Sequence, residues 1–292
     1  MEFLVGTWDP AWGHTWLSRG SGRLYALRSL GGGSFLCVDG KEYPTPGEHS
    51  CHIALLEREA VVSDYTSGTL SLFPLGADGL PCGEPRMLRF EGRGPHPVRQ
   101  TSPHIHSSWL SPDGGSIVVA DLGSDRLYRF AVRDGRIDAD SRENYDMPSG
   151  CGPRHCAFGR GKLYVSTELS DEVLVLDWPS MELRQRIVVN EALPGGGGHL
   201  GLSQGGKYLY ASSRLENDGI ASFRVLENGL LEKAGYTRTG RHPRHFCLKD
   251  GLMAVACRDD DQIQLFDVHP NGYLLLRQES MTVPKPVFVQ MV

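Results

Sequence analysis

Pro103-His104-Ile105-His106, Ser111-Pro112-Asp113-Gly114, Ser116-Ile117-Val118-Val119-Ala120, Gly123-Ser124-Asp125 and Arg126-Leu127-Tyr128-Arg129-Phe130-Ala131-Val132 follow one another with little between them. His104 to Trp109 alternates in polarity as a half-buried strand does. Pro112 presets the backbone for a turn, which Asp113 and Gly114 complete. Ser116 to Ala120 is a short apolar run, too brief for a helix and rich in β-branched residues, so it reads as a buried strand. A second turn follows, then Arg126 to Val132 with period-two alternation, and a weak fourth strand behind it. The unit is strand, turn, strand, turn, strand.

The same grammar recurs along the chain. Lys162–Ser166 and Glu172–Leu176 repeat the second and third strands, as do Lys207–Ala211 with Ile220–Val225, Leu252–Ala256 with Gln262–Phe266, and Val61–Tyr65 with Leu70–Phe73. A short segment opens each unit: Ser50-Cys51-His52, Pro103-His104-Ile105-His106, Gly152-Pro153-Arg154-His155, Gly198-His199, His242-Pro243-Arg244-His245 and Lys285-Pro286-Val287. From His52 through His106, His155 and His199 to His245 the intervals are 54, 49, 44 and 46 residues. A period of this size in strand-like units is the mark of a β-propeller with four-stranded blades. No amphipathic helix interrupts it, so the chain is expected to be all-β, one propeller domain over 1–292.

The ends complement each other. Pro286 to Val292 looks like a first strand with nothing after it, while Phe3–Trp8, Arg23–Leu27 and Phe35–Val38 look like later strands with nothing before them. Joined, they make a composite blade in which the C-terminal strand closes the ring and leaves no open sheet edge. The mean spacing of about 48 residues predicts six blades over 292 residues. Trp16 to Val38 leaves room for a degenerate further unit.

Composition narrows the function. A net charge of −5 argues against a nucleic-acid partner. No basic-then-apolar leader precedes Phe3-Leu4-Val5, and no apolar run approaches membrane-spanning length, so a cytoplasmic chain without a membrane partner is expected. The 36 Gly and 18 Pro suit a fold full of tight turns. Seven cysteines without paired spacing read as reduced, mostly buried thiols. Cys151, in a Gly-rich turn near Arg154, is the one candidate for reactivity.

Several of these stretches resemble the lactonase family of β-propellers, which includes bacterial 6-phosphogluconolactonase and the fungal carboxymuconate cyclase. The resemblance rests on Ser71-Leu72-Phe73-Pro74-Leu75, Ser102-Pro103-His104-Ile105-His106-Ser107, Ser111-Pro112-Asp113-Gly114 and Val119-Ala120-Asp121-Leu122-Gly123-Ser124-Asp125-Arg126. It continues through Gly152-Pro153-Arg154-His155, Thr167-Glu168-Leu169, Pro243-Arg244-His245-Phe246 and Val283-Pro284-Lys285-Pro286-Val287, in the family order over residues 50 to 292. The family is normally seven-bladed, whereas Gly6-Thr7-Trp8 to Ser50-Cys51-His52 is about one blade too short. The family also usually carries an acidic residue directly before the histidine matched by His199, where this chain has Gly195-Gly196-Gly197-Gly198.

The resemblance implies that His106, Arg154, Glu168 and Arg214 are catalytic or substrate-holding. Period-two geometry puts His104 and His106 on one side of a strand, and the repeat places His155, His199 and Arg244 at matching points, as candidates for binding substrate. Glu168 and Arg214 each follow a second strand. Such a set suits lactone hydrolysis: water attacks the acyl carbon, arginine meets the oxyanion, and a proton reaches the departing ring oxygen. Arginine can also hold a phosphate or carboxylate bidentately, so a small anionic substrate, 6-phosphogluconolactone first, is expected. His106 or Glu168 is then the water activator or proton carrier, and Arg154 and Arg214 hold the anion.

The alternatives are a carboxymuconate-type cyclase or isomerase and a non-catalytic binding scaffold. His52, His155 and His245 also read as hydrogen-bonded pegs between blades, and Glu168 as an ion-pair partner of Arg154. No cofactor is expected, nor a metal, because the arginines repel a cation and no close run of carboxylates suits Ca²⁺. Oligomeric state is not legible.

Overall fold

The computed structural model describes residues 2–8, 15–30, 33–191 and 196–292. After β1 (Phe3–Thr7) come β2 (Trp16–Gly20), β3 (Arg23–Leu30), β4 (Gly33–Val38) and β5 (Lys41–Pro44). These four form one antiparallel sheet in chain order. The next sheet is β6 (Ser50–Leu55), β7 (Glu59–Asp64), β8 (Thr69–Pro74) and β9 (Arg86–Arg89). It is followed by β10 (Ile105–Leu110), β11 (Ser116–Asp121) and β12 (Arg126–Arg133), with β13 (Arg136–Ile137) and β14 (Glu143–Asp146) both paired to β12. These three sheets make up one compact unit, Pro10–Pro153.

The other unit takes Met1–Asp9 and Arg154–Val292. Its sheets are β15 (Pro153–Gly159), β16 (Lys162–Thr167), β17 (Glu172–Asp177), β18 (Leu183–Val188), then β19 (Gly197–Leu202), β20 (Tyr208–Ser213), β21 (Gly219–Val225), β22 (Leu231–Arg238). The last four-stranded sheet is β23 (Pro243–Lys249), β24 (Leu252–Cys257), β25 (Gln262–Val268) and β26 (Leu274–Thr282). Finally β27 (Pro286–Met291) pairs antiparallel with β1, from Phe3 opposite Met291 to Thr7 opposite Pro286.

The all-β reading holds: among the described residues the helical segments are the short 3-10 turns Ala139–Ser141, Gln204–Gly206 and Arg258–Asp260. Among the described residues six sheets carry four or more strands, the number the spacing predicts. The C-terminal strand does join the N-terminal one. The composite blade, however, is smaller than expected. Arg23–Leu30 and Gly33–Val38 do not pair with Pro286–Met291 but with Trp16–Gly20 and Lys41–Pro44, and β1 with β27 is a separate two-stranded sheet. The physical reason is a core of their own. Tyr25, Leu27, Leu36 and Val38 pack with Ile53, Ala60, Val62 and Phe73 of the following sheet.

Burial falls from the inner to the outer strands. Every residue of β7, β20 and β24 is buried, because sheets pack on both of their faces. That is why these runs are continuously apolar rather than alternating. The outer strand β18 has no buried residue, and β26 is almost wholly exposed. Between sheets the layers are aliphatic and aromatic: Val61, Leu72, Ile117, Val119 and Phe130 in one unit, Tyr164, Val175, Leu209, Ala211 and Phe223 in the other. The turn read from Ser111-Pro112-Asp113-Gly114 is present, closed by Gly114 N–H to Ser111 O at 2.9 Å. Its φ of +70° at Gly114 is a left-handed conformation that glycine adopts without strain.

Candidate active site

Four of the first strands, β6, β10, β19 and β23, begin with an irregularity in their pairing. Ser50 pairs with Asp64 and His52 with Ser63, so Cys51 is an extra residue. In the same way His106 is extra between Ile105 and Ser107, and Arg244 between Pro243 and His245. The shift recurs between Gly197 and Leu200. At His155 and His199 the backbones make matching bonds: His155 N–H donates to Ser166 Oγ at 3.3 Å and His199 N–H to Ser212 Oγ at 3.0 Å, which aligns Arg154 with Gly198. Such β-bulges bend a strand and redirect one side chain.

This frame corrects the histidine repeat. His106 stands with Arg154, Gly198, Arg244 and Cys51, whereas Ser107 occupies the place of His52, His155, His199 and His245. The bulge slips the register by one, which residue spacing alone does not reveal. His52 and His245 do act as pegs: His52 Nδ1 accepts from Ser108 N–H at 3.3 Å and His245 Nδ1 from Val289 N–H at 3.4 Å.

The unit containing Arg154–Val292 gathers most of the expected site residues. Arg154 is buried, and its Nε donates to Glu168 Oε2 at 2.9 Å. Arg214 Nη2 reaches the same Glu168 oxygen at 3.0 Å. Arg214 also donates to Gly196 O at 3.2 Å and Gly197 O at 2.7 Å. The glycines are needed for that approach, since a Cβ at Gly196 would lie 1.9 Å from Arg214 O and one at Gly197 1.9 Å from Thr167 O. At Gly198, where the family usually has an acid, a Cβ would meet Ser212 Oγ at 2.3 Å. Gly195, the first residue of the run, lies outside the described residues.

Burial first, and then the charges of Arg214 and Arg244, pull the Arg154 guanidinium down to about 9, opposed by Glu168. It remains a cation at neutral pH. Arg244 is half-buried, its guanidinium 5.2 Å from the centre of the Trp8 ring. His242 Nε2 lies 3.5 Å from Arg214 Nη1, and burial together with Arg214, Arg258 and Arg244 pushes this imidazole down to about 3. His242 is therefore neutral. His155 and His199 are buried behind Arg154. Arg154 Nη1 is 3.2 Å from His155 Nε2, and the two Nδ1 atoms of His155 and His199 are 2.8 Å apart. His199 stacks on His245 at 4.1 Å, and burial, then the charge of Arg154, pushes His245 down to about 3.

His104 and His106 belong to the unit Pro10–Pro153. His104 lies flat on Tyr65 at 4.5 Å, with Nδ1 2.9 Å from Tyr65 O. His106 is buried and meets the same ring edge-on at 5.7 Å, so the two histidines do share a neighbour. Arg99 Nη2 donates to the Tyr65 hydroxyl at 3.1 Å. Cys151 is buried rather than open.

The structure thus brings Arg154, His155, Glu168, His199, Arg214 and Arg244 together in one unit. Sequence reasoning missed Trp8, His242 and Arg258. Arg258 was within reach: Thr167, Ser213 and Cys257 end equivalent second strands, so Arg258 occupies the place of Glu168 and Arg214. Trp8 and His242 carried no such signal, because loop residues have no register to count.

Comparison with known proteins agrees with this architecture. The family model described as "Lactonase, 7-bladed beta-propeller" matches residues 20–291. The 6-phosphogluconolactonase of Bacillus subtilis is 30% identical over 260 residues, spanning 84% of this chain and 73% of that one. A solved Bacteroides fragilis protein, named as a candidate 6-phosphogluconolactonase, superposes with a TM-score of 0.86 at 29% identity, over 96% of this chain and 87% of its own. The periplasmic gluconolactonase of Pseudomonas aeruginosa shares the fold, with a TM-score of 0.85 at 23% identity over 99% of this chain and 98% of that one.

Proposed function

The chain belongs to the lactonase family of β-propellers, and on that premise we propose that it hydrolyses a sugar lactone, with 6-phosphogluconolactone as substrate. One observation carries the substrate class. Arg154 and Arg214 converge on a single oxygen of Glu168, with Arg244 close enough to depress Arg154 further. Three guanidinium groups gathered around one carboxylate make a mostly buried place that favours an anion, which a guanidinium can hold bidentately.

The chemistry follows from the groups. Water adds to the lactone carbonyl carbon, the bond from that carbon to the ring oxygen breaks, and the ring oxygen takes a proton to become a hydroxyl. Arg154 and Arg214 meet the negative charge that develops on the carbonyl oxygen or is carried by the phosphate. Glu168, accepting from both arginines, holds them in register. A carboxylate so engaged is a poor base, which shifts the proton-carrying role to a histidine. The assignment of that role to His106 stands apart and is tested by its own variant.

The test is a coupled or pH-stat assay with freshly generated 6-phosphogluconolactone, set against spontaneous hydrolysis. Wild type should accelerate ring opening, and Arg154→Ala should lose roughly 10²–10³-fold in kcat, as expected for a missing oxyanion donor. Arg214→Lys, which keeps a charge at the site, guards against loss of fold and should lose activity while its melting curve stays cooperative. Full activity in Arg154→Ala, or no acceleration by wild type, sinks the reading. His106→Ala in the same assay decides the proton carrier. Preference for a carboxylated lactone would favour a cyclase-like substrate.

A further inference from the structure

His155 and His199 lie where the other blades carry pegs, and His155 makes its bond to the neighbouring sheet ring to ring. His52 and His245 each accept a backbone N–H through Nδ1. His155 instead directs Nδ1 at the Nδ1 of His199, 2.8 Å away. Two Nδ1 atoms can share that distance only if one carries the proton. The other nitrogen of His155 decides which. Arg154 Nη1 lies 3.2 Å from His155 Nε2, and a guanidinium can only donate, so Nε2 must be the acceptor. The proton of neutral His155 therefore sits on Nδ1 and is donated to His199 Nδ1. His199 in turn carries its proton on Nε2.

We propose that His155 and His199 are positioning residues, a pair that shares one proton and locks His155 as the Nδ1–H tautomer so that its Nε2 holds Arg154 in place against Glu168. This gives the two histidines a role other than the substrate binding expected from the sequence, and it rests on the lactonase reading only for its effect on turnover. The surroundings favour a neutral pair. Arg154 stands on one side, and His245, whose Nδ1 accepts from Val289, is stacked on the other at 4.1 Å. The backbones are fixed as well, since Ser166 and Ser212 accept the N–H groups of His155 and His199. With both rings buried, the pair has little room to adopt another arrangement. An arginine held in this way is preorganised for the developing charge rather than having to reorient during the reaction.

The tautomer can be read directly. In the full-length protein labelled with ¹⁵N-histidine, long-range ¹H–¹⁵N correlation near neutral pH should show His155 protonated at Nδ1 and bare at Nε2, its signal assigned by its loss in His155→Gln. His199→Phe keeps a ring on His245 but removes the acceptor, and should release His155 from the Nδ1–H form. In the lactonase assay that variant should lose about tenfold in kcat with a smaller change in KM, the size expected for a displaced catalytic group. His199→Asn, whose Oδ1 can take the place of Nδ1, should restore the tautomer and recover at least about threefold of that loss. An Nε2–H tautomer of His155 in wild type overturns the proposal, as does equal kcat in the Phe and Asn variants. If wild type opens no lactone, the spectrum alone decides this inference while the functional reading falls.

Discussion

Glu168→Gln keeps the shape of the side chain and removes its charge, so it isolates what the carboxylate does between two guanidinium groups. The contacts are 2.9 Å from Arg154 Nε and 3.0 Å from Arg214 Nη2, both to Oε2. At an effective dielectric near 20, each ion pair at this separation is worth roughly 5–6 kcal/mol before desolvation. Breaking a buried pair by neutralising one partner costs about 3–5 kcal/mol, because the partner charge is left behind. The amide oxygen still accepts one guanidinium N–H, so the lower end applies, about 3 kcal/mol. At roughly 2 °C per kcal/mol for a chain of this size, Tm should fall by about 6 °C. The same change leaves Arg154 and Arg214 facing each other without an intervening anion, so inorganic phosphate should restore stability. At 100 times its Kd the recovery is about 2.7 kcal/mol, nearly the whole loss. Differential scanning fluorimetry of wild type and variant, with phosphate titrated at constant ionic strength, measures both. A variant that melts with wild type, or that gains nothing from phosphate, refutes the idea that Glu168 neutralises an anion-binding arginine pair.

Two further outcomes follow from packing and from titration. Gly197→Ala puts a Cβ 1.9 Å from Thr167 O and 3.2 Å from Glu168 Cα, both backbone atoms. The strand must move, and Arg214 loses its 2.7 Å acceptor. A loss of about 3 kcal/mol or more by denaturant unfolding is expected from overpacking combined with a disturbed buried charge, and near-wild-type stability would contradict the close approach. His245, held down to about 3, stays neutral in the fold while the unfolded chain protonates near 6.5. The unfolded state then binds more protons between those values, so this group removes stability as pH falls below about 6.5, roughly 1.4 kcal/mol per pH unit. His245→Phe should unfold less steeply with acid than wild type in Tm against pH. Asp64 and Asp171, raised to about 6 by burial, act in the opposite sense in both proteins and cancel from the difference. Parallel curves would show that His245 is not buried neutral.

Sequence alone determined the all-β class, the recurring strand–turn–strand unit, the pairing of the two chain ends and the residue types of the site. Those features are local: period-two alternation, Pro-Asp-Gly turns and short apolar runs follow from a few neighbouring residues. Arg154, Glu168 and Arg214 were singled out by the resemblance to the lactonase family, and each can be counted from a strand. Tertiary structure decided the rest. Tyr25, Leu27, Leu36 and Val38 have the right pattern for the composite blade, and only their packing against Ile53, Val62 and Phe73 assigns them a sheet of their own. The one-residue bulge that groups His106 with Arg154 and Arg244 is a pairing between strands, invisible to spacing. The histidine segment that repeats along the chain likewise holds different roles. His52 and His245 accept a backbone N–H, while His155 meets the ring of His199. That distinction depends on what stands across from each imidazole in the next sheet, which only the folded chain supplies.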